Sequence, residues 1–296
     1  MGVIDIRNLT RDYGKGRGIF DVSFEVTKSE VFGFLGPNGA GKTTTIRHLM
    51  GFLKPRSGRV SIAGLDCWRH SSEIQRTLGY IPGEISFFDD MTGIDYLRFL
   101  AKYRGLRSEK KMMDILARFE LDPQAKLKKM SKGMRQKVGI TAAFMHDPDV
   151  LILDEPTSGL DPLMQNRFID FILEEKNRGK TILMSSHMFE EVERTCHRVG
   201  IIRDGKIAAI DSVDSLKAEQ IKKYTVTLKT TEDAERFAKE GFAVSDLSQN
   251  HITVSVQNNM DVFIATMARY PVTNISAPSQ SLEEVFLHYY GGDIHD

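Results

Sequence analysis

Three separated stretches carry the residue types that phosphate chemistry uses. "GPNGAGKTT" (36–44) fits the pattern G-x-x-x-x-G-K-[ST], with Gly36, Gly39 and Gly41 ahead of Lys42 and Thr43, and with Pro37, Asn38, Ala40 and Thr44 completing the loop. The glycines allow the backbone to curl until several N–H groups face one anion. Lys42 is placed to reach β- and γ-phosphates, and the Thr43 hydroxyl to ligate Mg²⁺. "VLILDEP" (150–156) runs four apolar residues into Asp154 and Glu155. Asp154 is expected to hold Mg²⁺, and Glu155 to take a proton from an attacking water or orient it. "ILMSSH" (182–187) ends in His187, whose imidazole is expected to contact a γ-phosphate and that water. The chemistry these residues share is hydrolysis of ATP with Mg²⁺.

A fourth stretch is less usual. "MSKGMRQK" (130–137) sets Ser131 and Gly133 among lysines and an arginine, a cluster suited to an anion, in a chain that already has one phosphate loop. Tyr13, in an early loop, is a candidate to stack on adenine, worth ~1 kcal/mol, with Phe20 as competitor. His48, His70, His146 and His197 lack such a context and read as structural. Cys67 and Cys196 form neither a metal-ligand spacing nor a disulfide framework, as in a reducing compartment.

The elements that must position these residues read as α/β. "VFGFLG" (31–36) is a buried strand and "TTTIRHLMGFL" (43–53) the helix after it; "DVLILDE" (149–155) and "KTILMSSH" (180–187) are further buried strands with a helix between. This βαβ alternation predicts a mostly parallel sheet covered by helices. "RVGIIRDGKIAAI" (198–210) reads as two strands about an Asp204–Gly205 turn. The pattern bounds an ATPase domain over 1–212 with a helical subdomain over about 84–145, and a polar connector over 213–222. Residues 223–296 then form a smaller α+β domain in the order βαββαβα, ending in "SLEEVFLHYYG" and possible as a ferredoxin-like fold.

With 40 basic and 40 acidic residues in 296, the chain has no net charge, and wholesale binding to nucleic acid is not implied. The N-terminus lacks a signal-peptide core, and no apolar run approaches the ~20 residues needed to span a bilayer. A soluble chain is expected, with any membrane role supplied by a partner.

The order of phosphate loop, "MSKGM", "DE" and His187 resembles the nucleotide-binding subunit of ABC transporters over residues ~3 to ~212. Residues 130–134 are similar to that family's signature loop at Ser131 and Gly133, "SGLDP" (158–162) to its D-loop with Asp161 in the nucleotide site, and His187 to its switch histidine. The resemblance implies the P-loop ABC cassette fold. It also implies a dimer, a homodimer here, in which each ATP is held by one subunit's phosphate loop and the other's signature loop. It further implies polytopic membrane permease subunits as partners and a peripheral place at the cytoplasmic face of a bacterial cell membrane. The variant signature and the C-terminal segment look like the branch that exports drugs, antibiotics or peptides; the alternatives are a soluble non-transport ABC ATPase and a non-catalytic ATP sensor, the last disfavoured by Glu155.

Two departures stand out. The signature glycine beside Gly133 is replaced by Lys132, and its glutamine by Met134. In "LGYIPGE" (78–84) the family's metal-touching glutamine is replaced by Gly83, with Glu84 as a candidate substitute. The insert from 84 carries Phe87, Phe88 and Met91, an apolar surface if exposed, where the resemblance places the membrane subunit.

Overall fold

The computed structural model describes residues 2–88, 90–218, 222–256 and 259–277, in two compact units, Met1–Val213 and Asp214–Asp296. Each is described by itself.

The first unit opens with β1 (Ile4–Asp12), β2 (Gly18–Val26) and β3 (Val31–Leu35), followed by α1 (Lys42–Leu49), β4 (Ser57–Ile62) and β5 (Leu65–Asp66). Next come α2 (Ser71–Thr77), β6 (Leu78–Ile81), α3 (Gly93–Tyr103), α4 (Lys110–Arg118), a 3₁₀ turn at Leu127–Lys129 and α5 (Lys132–Phe144). It ends with β7 (Val150–Asp154), α6 (Pro162–Asn177), β8 (Thr181–Ser186), α7 (Phe189–Thr195), β9 (Arg198–Arg203) and β10 (Lys206–Ser212).

A six-stranded sheet runs in the order β10-β9-β3-β8-β7-β6, parallel except for β10. Every residue of β3 and β8 is buried, as expected of parallel strands covered on both faces. Register decides the chemistry. Leu35 pairs with Ser186, and Asp154 with Ser185. The carboxyl ends of β3, β7 and β8 are therefore level, and whatever follows each strand meets at one edge, where open α/β sheets bind ligands.

A second, antiparallel sheet, β2-β1-β4-β5, was not expected from the sequence. Along β2 buried and more exposed residues largely alternate, and the sheet's inner face shares a core with the first sheet through Phe24, which stacks on Phe32 at 5.1 Å. α1 also stops earlier than the expected residue 53. Met50 closes it and Gly51 turns left-handed (φ 69°), where a side chain would strike the Cys67 carbonyl at 2.5 Å.

Helices α3, α4 and α5 bury their own apolar cluster around Leu97, Leu116, Leu127 and Val138. Phe87 and Met91 pack against this cluster, whereas Phe88 remains 61% and Tyr103 74% exposed. Among the described residues no helix is long and apolar enough to cross a membrane.

At the boundary lies α8 (Val213–Ala218), within the stretch read as a polar connector. The second unit then has β11 (Lys222–Leu228), α9 (Thr231–Phe237), β12 (Ala243–Ser248), β13 (His251–Val256), α10 (Met260–Met267) and β14 (Val272–Ser276). Its antiparallel sheet runs β12-β13-β11-β14, the split βαβ arrangement of ferredoxin-like domains. The expected last helix, 281–291, lies outside the described residues.

Candidate active site

The loop after β3 has the curl its glycines allow. Gly39 (φ 83°) and Gly41 (φ 114°) are left-handed, and a Cβ on Gly41 would meet Ile19 Cγ2 at 2.5 Å. Gly41 is also the residue from which α1 starts, so that helix's unpaired N–H groups and positive dipole end face the loop. Lys42, buried, donates from Nζ to the carbonyls of Gly36 (2.5 Å) and Pro37 (3.2 Å). The same ammonium lies 3.2 Å from Glu155 Oε1.

The cavity bounded by this loop is about 340 Å³. Pro37, Asn38, Gly39, Gly41, Lys42, Thr43, Thr44 and Glu155 line it, together with Tyr13, Arg17 and Gly18 from the β1–β2 hairpin. Ala40 is buried beneath the loop and offers its carbonyl to the Gly205 N–H at 3.0 Å. Tyr13 is half exposed, with the Arg11 guanidinium 5.4 Å from its ring centroid. The competitor Phe20 faces the Asp204–Gly205 turn instead: its N–H donates to the Gly205 carbonyl at 2.7 Å. Arg17 and Gly18 were not anticipated. Their only sequence signal is the glycine-rich run "GKGRG", which reads as an ordinary hairpin loop.

At the end of β7 Asp154 is wholly buried. Ser185 Oγ donates to its Oδ1 at 2.6 Å, while Oδ2 has no hydrogen-bond partner among the described residues. Burial pushes its carboxyl up, opposed by the Ser185 and Thr43 hydroxyls and Lys42. Thr43 is close enough to favour the ionised form without making a well-formed bond to Oδ2. A Cβ placed on Gly83 would lie 3.1 Å from that same Oδ2. Glycine at this position therefore leaves the orphan oxygen open. Gly83 and Glu84 both line a cleft with Ile85, Met130, Lys132, Arg135 and Gln136.

Glu155 sits in the left-handed region (φ 50°), costly for a residue with a side chain. Its N–H is held by Ser185, to O at 3.2 Å and Oγ at 3.0 Å. Its Oε2 lies 2.6 Å from His187 Nδ1. A carboxylate only accepts, so the Nδ1 proton belongs to the histidine. The neutral ring then presents an acceptor at Nε2, and a contact from Nε2 to a phosphate oxygen requires a second proton on the ring or release of Glu155.

Ser131 and Gly133 do not line this cavity. Ser131 caps α5, its Oγ accepting from Met134 N–H at 3.2 Å. A Cβ on Gly133 would meet the Gly159 carbonyl at 2.7 Å, and Lys132 spans the gap with its Nζ on Ser158 Oγ at 2.8 Å. Gln136, buried, donates to the Pro156 carbonyl at 2.6 Å. The start of α5 is thus fastened to the loop that follows Glu155. Asp161 caps α6, accepting from Met164 N–H at 3.0 Å. His48 and His146 bond main-chain carbonyls of Thr44 (2.8 Å) and Leu78 (3.1 Å), and His197 Nδ1 accepts from Val31 N–H at 3.0 Å. Both cysteines are buried free thiols.

Comparison with known proteins yields one family. A family model described as ABC transporter matches residues 19–158. The chain is 32% identical over 311 residues to the bacitracin transport ATP-binding protein of Bacillus licheniformis, covering 98% of each chain. It is 31% identical over 320 residues to the linearmycin resistance ATP-binding protein of Bacillus subtilis, covering 99% of this chain and 100% of the relative. Among solved structures, an ATP-binding subunit of an ABC transporter superposes with a TM-score of 0.66 at 33% identity, over 73% of this chain and 92% of that one. A dimeric bacterial ABC transporter cassette shares the fold at 23% identity, with a TM-score of 0.64 over 71% and 98% of the two chains.

Proposed function

Since the chain belongs to the ATP-binding proteins of ABC transporters, we propose that its nucleotide sites are completed between two copies, each lending Ser131 and Gly133 to the ATP on the other's phosphate loop. The chain is the ATP-binding, ATP-hydrolysing subunit of such a transporter. Lys42 and the N–H groups of residues 36–44 bind the triphosphate, with Tyr13 against the base. Glu155 is the base toward the attacking water, His187 positions that water and the γ-phosphate, and Asp161 lies where the two copies cross. The observation that carries this reading is the Lys42–Glu155–His187 cluster at the level ends of three parallel strands.

The residues fit Mg²⁺, which takes hard oxygen donors and keeps one or two carboxylates plus substrate phosphates. A buried Asp154 oxygen without a partner, beside Thr43 and faced by a glycine, is such a donor. Asp154 and Thr43 would hold the ion, which neutralises charge on the β- and γ-phosphates when bound.

The partners are a second copy of this chain and polytopic permease subunits, with no nucleic acid. The exposed Phe88, Phe99 and Tyr103 of the helical subdomain support a membrane subunit docking there, at the cytoplasmic face of a bacterial membrane. Relatives named for bacitracin transport and linearmycin resistance support export of an antibiotic, drug or peptide. Residues 1–212 form the ATPase domain, with 84–145 as its helical part, 213–222 the connector and 223–296 an accessory domain.

Substitution in the signature loop tests the shared site. Ser131→Ala is expected to weaken ATP-driven dimerisation, followed by light scattering. Nucleotide affinity of the isolated chain stays within about twofold, because Ser131 does not line the phosphate-loop cavity; each charge-assisted bond removed is worth about 1.5–3 kcal/mol to the dimer. An equal loss of affinity in the monomer overturns the assignment.

A further inference from the structure

Glu191 is the one buried carboxylate on α7, and the site as described does not use it. It is 3% exposed, whereas Glu190 beside it is exposed. Two hydroxyls donate to it from different elements: Thr157, two residues past Glu155, to Oε1, and Ser186, the residue before His187, to Oε2 at 2.8 Å. Ser186 Oγ also accepts from Met188 N–H at 2.9 Å. Glu191 thus joins the loop after β7 to the end of β8 directly behind the Glu155–His187 pair. Burial pushes its carboxyl up, and the two donated hydroxyls, which hold the ionised form, oppose this.

This link has a mechanical purpose. Glu155 has a left-handed backbone, and such conformations persist only where the surroundings over-determine them. Ser185 holds the Glu155 N–H from one side. On the other side, the loop is tied at Thr157 to the strand end that carries His187, through Glu191.

We propose that Glu191 is a positioning residue for hydrolysis, fixing the strained Glu155 turn and the His187 strand end at one mutual spacing. The inference rests on the reading of Glu155 as the base. It predicts an effect on turnover and not on nucleotide binding, since the two hydroxyls that donate to Glu191, those of Thr157 and Ser186, are not among the cavity-lining residues. A misplacement of about 1 Å remote from the reacting atoms costs about 10²-fold in rate.

The experiment measures phosphate release and ATP affinity in the full chain for Glu191→Ala, Glu191→Gln and Thr157→Val. Glu191→Ala is expected to lower kcat about 10–100-fold, with KM and ATP affinity within about twofold. Glu191→Gln, whose amide serves both hydroxyls once one of them reorients, recovers most of this. Thr157→Val, which keeps the volume, reproduces the loss should Glu191→Ala fail to fold. In the Glu155→Gln background Glu191→Ala adds nothing further, because residues acting as a unit are non-additive. A full additional loss in that background overturns the proposal, as does a loss confined to KM or an unchanged kcat in Thr157→Val. Failure of the underlying reading is separately visible: Glu155→Gln alone would then turn over normally.

Discussion

Glu155→Gln is expected to bind ATP as the wild-type chain does, to hydrolyse it about 10²–10⁴-fold more slowly, and to accumulate as an ATP-bound dimer. The substitution keeps the shape of the side chain and removes its ability to take a proton. His187 Nδ1 can still donate to the amide oxygen, so the turn and the ring are expected to stay in place. The one competing effect is on Lys42, whose ammonium lies 3.2 Å from Glu155 Oε1. Losing that charge frees Lys42 for phosphate, which favours binding and works against dissociation. Single-turnover phosphate release separates chemistry from product departure, and size-exclusion chromatography with ATP reads the dimer. Turnover at the wild-type rate would remove Glu155 from the role of base.

Lys42→Ala acts at the opposite stage. Its ammonium presents three donors at the mouth of the loop, two of them now spent on the Gly36 and Pro37 carbonyls. A triphosphate offers charged acceptors in exchange, and charge-assisted bonds are worth about 1.5–3 kcal/mol each. Two such contacts amount to about 10²–10⁴-fold in affinity, at tenfold per 1.4 kcal/mol. Titration with a fluorescent ATP analogue is expected to show a loss of this size, with dimerisation lost at the same nucleotide concentration. An affinity within threefold of wild type would mean that the backbone N–H groups alone carry the phosphate.

The contrast between these variants mirrors what was legible in the sequence. The phosphate loop could be read residue by residue, because a curl of positive-φ glycines at a strand-to-helix turn is local chemistry. Asp154, Glu155 and His187 could be read because each ends an apolar run, and parallel strands of one sheet end level. Glu191 could not. In "FEEVERT" three glutamates share one short helix, and only packing against Thr157 and Ser186 decides which is buried. The antiparallel β1–β2–β4 sheet has a fainter signal: "IDIRNL" and "GIFDVSFEV" alternate apolar and polar residues in part as half-buried strands do, but alternation does not say whether a strand joins the parallel sheet or forms a second one. Glu84, the candidate for the missing glutamine, lines the cleft beside α5 together with Gly83, and a side chain on Gly83 is the one that would meet Asp154. Sequence adjacency does not say which of two neighbours faces a buried strand end.

The Asp204–Gly205 turn has a role that its place at the tip of a hairpin conceals. Gly205 takes the Ala40 carbonyl on its N–H and the Phe20 N–H on its own carbonyl, and a side chain there would strike the Gly18 carbonyl at 2.3 Å. The phosphate loop and the β1–β2 hairpin, which both line the cavity, are therefore joined by main chain through one residue that admits no side chain without moving Gly18. The spacing between these two walls is held by main chain, whatever side chains either segment carries.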